Sequence, residues 1–203
     1  MKKKSNLILI LSLMFVLGLS SCNSSKHKAE TTFDRIDSLR SHLLTIEDSL
    51  LYTWNVMIQD DNEKLSDLSR LLDELKYANV LDSNIINAHK EKVKGVKSSR
   101  YYMTKMTSEK IDYYDSISLA LSAQIIQLID SFPDVASKYP FINELIESVY
   151  AREANVLRFR VDYDYVAKIH NQFVMDHEDI IDQIDPEYRH TILTLFELPP
   201  KDQ

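Results

Sequence analysis

Side chains able to do chemistry are few in this chain and do not gather into an obvious site. Glu187 and His190 have the Glu-x-x-His spacing that puts two metal ligands on one face of a helix. A di-metal bundle needs a second such pair and further inward glutamates, and the sequence has no second pair. A proline-started helix with an acid in its first turn already accounts for Glu187, so no metal is expected. The acidic run Asp176, His177, Glu178 and Asp179, with Asp182 and Asp185, reads as a solvated helix end. Cys22 is the single cysteine, which rules out an internal disulfide and a thiolate metal cluster. No serine, histidine and aspartate stand out as a triad, so neither catalysis nor a cofactor is implied. What remains is a set of charged residues lying in apolar stripes, foremost Asp60, Asp61, Arg100 and His170.

The elements that must position them are helices. The chain has 203 residues, 44% hydrophobic and 27% charged, an ordinary globular balance. Of its two glycines, Gly18 falls in an amino-terminal leader and only Gly95 in the body. Tight hairpins and phosphate-cradling loops need glycine for positive φ and close backbone approach. A sheet-rich fold, a P-loop and a dinucleotide fold are therefore not expected, and an all-α fold is.

Lys2, Lys3 and Lys4 precede an apolar run from Leu7 to Leu19, too short for a bilayer core that needs roughly 20 residues and suited to a signal-peptide core. Leu19-Ser20-Ser21-Cys22 resembles the lipobox of bacterial lipoproteins. That resemblance implies cleavage before Cys22, acylation of its sulfur and a lasting membrane anchor, at about 0.8 kcal/mol per buried methylene. The expected division is a signal peptide over 1–21, a lipidated tether over 22–31, one helical domain over 32–198 and a tail over 199–203. The leader holds three lysines and no acids, so its loss takes the formal charge from −7 to −10. Such a surface has no general attraction for nucleic acid or anionic lipid.

In the body, Thr31 and Asp34 resemble a capping box, followed by a stripe through Phe33, Ile36, Leu39, Leu43, Ile46, Leu50 and Met57. The stripe resumes one position out of frame as Ile58, Leu65, Leu68, Leu72 and Leu75, across the polar stretch Gln59–Lys64. A turn is expected over Tyr77–Ser83, with Asp82, Ser83 and Asn84 as caps. A second segment runs to about Ser131 through Ile86, Val93, Val96, Met103, Tyr114, Ile117, Leu121 and Leu128. Arg100, Thr107 and Lys110 weaken its centre, which leaves open either one helix or two divided within Lys105–Glu109. Pro133 ends it. The most regular segment, Pro140–Ile184, carries Ile142, Leu145, Val149, Val156, Phe159, Tyr163, Val166, Phe173, Ile180 and Ile184 at helical spacing, with Arg152, His170 and His177 on the same stripe. A last short helix is expected from Glu187 to about Leu198.

Short connections make neighbouring helices antiparallel. The expected architecture is an elongated bundle of three to four long helices, each roughly 60 to 70 Å at 1.5 Å per residue, plus a short carboxy-terminal helix. With turns near residues 80 and 135, Asp60 or Asp61, Arg100 and His170 come to one height. They are expected to form a polar layer that fixes register, since a buried charge persists only when paired. Trp54 and Tyr163 fall at a shared height as an aromatic layer.

Phe141, Leu145, Glu153, Val156, Arg160, Tyr163, Val166 and Asn171 resemble the carboxy-terminal half of the LemA family, where a phenylalanine-led leucine helix runs through glutamate, isoleucine, arginine and tyrosine to a tyrosine–asparagine pair. Ser131-Phe132-Pro133-Asp134 is similar to that family's aromatic–proline–aspartate turn. Trp54 and the stretch Leu71-Leu72-Asp73-Glu74-Leu75-Lys76 resemble its tryptophan helix and the end of that helix, and Arg100 stands where an alanine–arginine pair is common. The resemblance implies a helical bundle on a membrane anchor with no established enzymatic activity; here the lipobox replaces the family's usual transmembrane helix. The expectation is a non-enzymatic envelope lipoprotein, on the inner or outer membrane, that acts as a scaffold for envelope proteins. The alternative is a bundle that binds a small molecule or ion near Arg100 and His170.

Overall fold

A computed structural model describes the backbone of residues 24–187 and 191–196 and the side chains of 34–187 and 191–196. The leader, Cys22, His190 and the tail over 199–203 lie outside the described residues. The described chain is helical, in the order α1 (Ser24–Tyr77), α2 (Ser83–Ser98), a 3-10 turn (Met103–Lys105), α3 (Ser108–Asp130), α4 (Pro133–Lys138), α5 (Pro140–Asp176) and α6 (Ile181–Ile184). No strand occurs among these residues. None of their helices is long and apolar enough to cross a membrane.

Three boundaries differ from the sequence expectation, one of them the long segment Pro140–Ile184, whose helix ends at Asp176. The first helix starts at Ser24 rather than at Thr31 or Thr32, because Lys26, Lys28, Ala29 and Glu30 are good helix formers and nothing interrupts them. Residues 191–196 are not helical, although a helix over Glu187–Leu198 is expected there. The short helix lies earlier, at Ile181–Ile184.

The described residues divide into two compact units: 24–44 with 177–187, and 45–176 with 191–196. In the first, the Arg40 guanidinium closes the end of α6, with Nε donating to the Ile184 carbonyl at 2.7 Å and Nη2 to that of Gln183 at 3.2 Å. Those are carbonyls a helix end leaves without partners.

The second unit is a four-helix bundle. α1 ends at Tyr77 and the turn after it passes through Asn79, whose φ of 54° is the left-handed conformation that asparagine tolerates just past a helix end. Asp82 opens α2, its carboxylate accepting the Asn84 N–H at 2.6 Å. The segment after Ile86 is two helices. The break spans residues 99–107, and Thr107 caps α3 by accepting the Lys110 N–H. The break is held in the core by Tyr101 and Met106, both buried.

That break sets the direction of everything after it. Lys90 pairs with Asp73 and Arg100 with Asp61, so α2 runs back along α1. Tyr114 meets Asp61 and Ser118 meets Lys64, so α3 runs parallel to α1. Tyr139 meets Tyr77, Ser148 meets Asp67 and Tyr163 meets Trp54, so α5 is antiparallel to α1. Apolar residues at helical spacing close the middle: Leu68, Leu71, Leu72 and Leu75 of α1, Ile125 and Ile129 of α3, and Ile142 and Val149 of α5, each no more than 1% exposed. Burying a leucine or isoleucine contributes about 1.5–3 kcal/mol.

Candidate functional site

Midway along the bundle the apolar core gives way to charge. α1 brings Asp60, Asp61, Lys64 and Asp67 inward on successive turns, a spacing that keeps them on neighbouring faces. The Asp61 carboxylate accepts hydrogen bonds from the Arg100 guanidinium and the Tyr114 hydroxyl, and Lys64 Nζ lies 3.4 Å away. Arg100 Nη1 also donates to Asn62 at 2.9 Å. Lys64, 5% exposed, donates to Ser118 Oγ at 2.8 Å.

A second cluster surrounds Arg152. It pairs with Asp60 at 3.0 Å, Glu63 at 2.7 Å and Asp67 at 3.3 Å, and Ser148 donates to Asp67 at 2.8 Å. Arg160 pairs with Asp115 at 2.6 Å. Burial works against charge on Arg100, but Asp61 and Tyr114 outweigh it, and the guanidinium is raised above its usual range. For Asp60 burial outweighs the help of Arg152, and its carboxyl is raised. Burial pushes Tyr101 up to about 12 and Tyr114 further in the same direction. Neither phenol is poised as a base near neutrality.

Between these groups lies a cleft of about 210 Å³. α1 contributes Met57, Ile58 and the acids, α3 Ser118 and Leu119, α5 Val156, Phe159 and Arg160, and the break Arg100 and Tyr101. A neighbouring cleft of about 260 Å³ shares Leu119 and Glu153 with it. Behind Tyr101 the rings of Trp54, Tyr101, Tyr114, Tyr163 and Phe196 meet edge-on or tilted, with centroids 5.4–6.2 Å apart, a preferred geometry for aromatic pairs.

Phe196 arrives on an extended strap, residues 191–196. Asn171 grips the Leu193 backbone at both groups, accepting its N–H at 2.8 Å and donating to its carbonyl at 2.9 Å. Asp164 accepts the Phe196 N–H at 2.8 Å, and the Thr194 hydroxyl donates to the Met106 carbonyl at 3.2 Å. Burial raises the Asp164 carboxyl, opposed by that N–H. The Phe196 ring lies 4.8 Å from the Arg160 guanidinium, so strap and cleft share a wall.

Of the residues singled out from sequence, Asp61 and Arg100 are brought together, as are Trp54 and Tyr163, whose rings are 5.6 Å apart. Asp60 turns to Arg152 instead. His170 stands outside the cluster: it is 1% exposed, with Nδ1 3.3 Å from Asn171 Oδ1, about 15 Å further along α5 than Arg160 at 1.5 Å per residue. The reason is the break at 99–107. A three-helix count makes the last long helix parallel to the first and lifts His170 to the height of Asp60; the extra reversal makes it antiparallel and puts Arg152 there. Burial lowers the His170 imidazole below its ordinary range. Lys64, Asp67, Asp115 and Arg160 join the site without having been singled out for it, although Arg152 already stood out as a cation on an apolar stripe. Among the described residues no three His, Cys, Asp or Glu side chains gather to hold a metal.

No family model, curated protein or solved structure matches the chain, so the likeness to LemA proteins rests on the quoted residues alone.

Proposed function

We propose that this chain is a lipid-anchored protein of the bacterial envelope whose helical bundle binds a partner protein and catalyses no reaction. Cys22 in its lipobox-like setting supports the anchor, and the LemA-like residues of α5 support a non-enzymatic bundle. The observation that carries partner binding is a row on α5: Tyr150, Leu157, Val161 and Tyr165 are 51%, 57%, 46% and 69% exposed and recur at helical spacing on one face. Apolar side chains exposed in a row mark interaction surfaces more than isolated ones do. Affinity capture from membranes with the intact chain, the Cys22→Ser variant and a Leu157→Asp, Val161→Asp variant tests this. The intact chain retains a specific envelope protein, Cys22→Ser loses membrane association, and the α5 variant loses the partner while staying on the membrane. Recovery of the same proteins with the α5 variant as with the intact chain would sink the reading.

A second reading is favoured by the cleft beside Arg100, which suits a small molecule or ion. Ligand-dependent thermal shifts that vanish in Arg100→Ala would support it. Unchanged melting with every ligand tried would count against it.

A further inference from the structure

We infer that the cleft beside Arg100 takes a small zwitterion with an apolar side group, of the size of a free α-amino acid such as leucine. This rests on the small-molecule reading of the cleft and names its ligand class.

The lining carries unbalanced charge of both signs. Lys64 and Arg100 share one carboxylate, Asp61. Arg152 is instead divided among Asp60, Glu63 and Asp67, and the next residue along, Glu153, makes no ion pair among the described residues. Three buried side-chain atoms of the described residues have no hydrogen-bond partner, Arg100 Nε, Arg160 Nε and Glu153 Oε1, and all three belong to walls of this one cleft. A buried polar group without a partner is costly, and three of them around one opening define a pattern: two donors and one acceptor.

A carboxylate answers the two guanidinium N–H groups and an ammonium answers Glu153. Each of the three atoms is itself shielded, so the pairing requires a turn of the side chain towards the ligand. An anion alone leaves Glu153 unanswered, a cation alone leaves the arginines unanswered, and a hydrocarbon answers neither. Val156, Phe159 and Leu119 supply the apolar surface for the side group. The volume, about 210 Å³, is that of a small-molecule site rather than of a single trapped water.

The test is calorimetric titration of the intact chain in detergent with L-leucine, isovalerate and isoamylamine, followed in parallel by the fluorescence of Trp54, the single tryptophan, which stacks edge-on with Tyr101 of the cleft. Leucine is expected to bind at least tenfold more tightly than either single-charge analogue. Glu153→Gln, which breaks no ion pair and so keeps the fold, is expected to weaken leucine about tenfold and leave isovalerate unchanged. Isovalerate or isoamylamine binding as tightly as leucine overturns the zwitterion while leaving a ligand-binding cleft, as does a Glu153→Gln variant that binds leucine normally. Absence of heat and of fluorescence change with all three, the behaviour of a cleft filled by water only, overturns both.

Discussion

Arg100, in the break after α2, donates its guanidinium to the carboxylate of Asp61, 39 residues earlier on α1. The same carboxylate also holds Lys64 and Tyr114, so one aspartate keeps two semi-buried cations in place. Asp61→Ala is expected to lower stability by about 3–5 kcal/mol, the cost of stranding a partner of a buried pair. Asp61→Asn should cost less, since it keeps an acceptor oxygen. Joint replacement of Asp61, Lys64 and Arg100 by leucine and methionines should recover much of the Asp61→Ala loss, because buried ion pairs and triads are often replaceable by apolar groups of similar volume. Urea unfolding of the set measures this, and full additivity of the single replacements would refute the coupling.

The strap gives a second prediction. Asn171→Ala leaves the Leu193 N–H and carbonyl buried without partners, at a cost of about 1–3 kcal/mol for each group stranded. Phe196→Ala empties the aromatic cluster and should cost about 3–5 kcal/mol. Both variants are expected to speed hydrogen exchange at Leu193 and Phe196 before the rest of the bundle responds, as mass spectrometry of peptides from the region would reveal.

Asp164 gives the pH dependence. Its carboxyl is raised by burial, opposed by the Phe196 N–H and the charges of Lys168 and Arg160. The folded state therefore holds the proton more tightly than the unfolded state does. The associated stability is fully present below the ordinary carboxylate range and is lost as pH rises through the raised value. Asp164→Asn keeps an oxygen for the Phe196 N–H and removes the titration. The variant should gain stability relative to the parent at pH 7, and the gain should shrink towards pH 3. Paired urea midpoints at several pH values decide the matter, and a gain that does not change with pH would contradict it.

Gly95 gives the simplest prediction. It lies inside α2, its φ is not positive, and a Cβ there meets nothing within 4 Å. Gly95→Ala is expected to stabilise the fold by about 0.5–1 kcal/mol through helix propensity and a less free unfolded chain. A lowered melting temperature would show that α2 needs the glycine for a reason the packing does not reveal.

Sequence pattern shows the helices well because their stripes are long, and it shows the Asp61–Arg100 pair because both residues interrupt those stripes. It misplaces His170 because height along a bundle depends on the number of reversals, and the reversal after Ser98 has no proline and no positive-φ glycine to announce it. Thr107 at the start of α3 was the available signal, a good cap following a polar interruption. The strap escapes for a related reason. Residues 191–196 owe their shape to Asn171 and Asp164, which lie 20 or more residues away in sequence, as the separations of 22 and 32 residues show. Local pattern carries no trace of such partners.

The strap also puts a clock on maturation. Leu193 and Phe196 belong to the same core cluster as Trp54, Tyr101 and Tyr163, yet the ribosome adds them only after residues 177–187 of the other unit have been made. At roughly 5–20 residues per second, seconds separate Asp176 from Phe196, and throughout that interval the aromatic cluster lacks its last ring. Until Phe196 is in place the aromatic cluster of Trp54, Tyr101 and Tyr163 is incomplete.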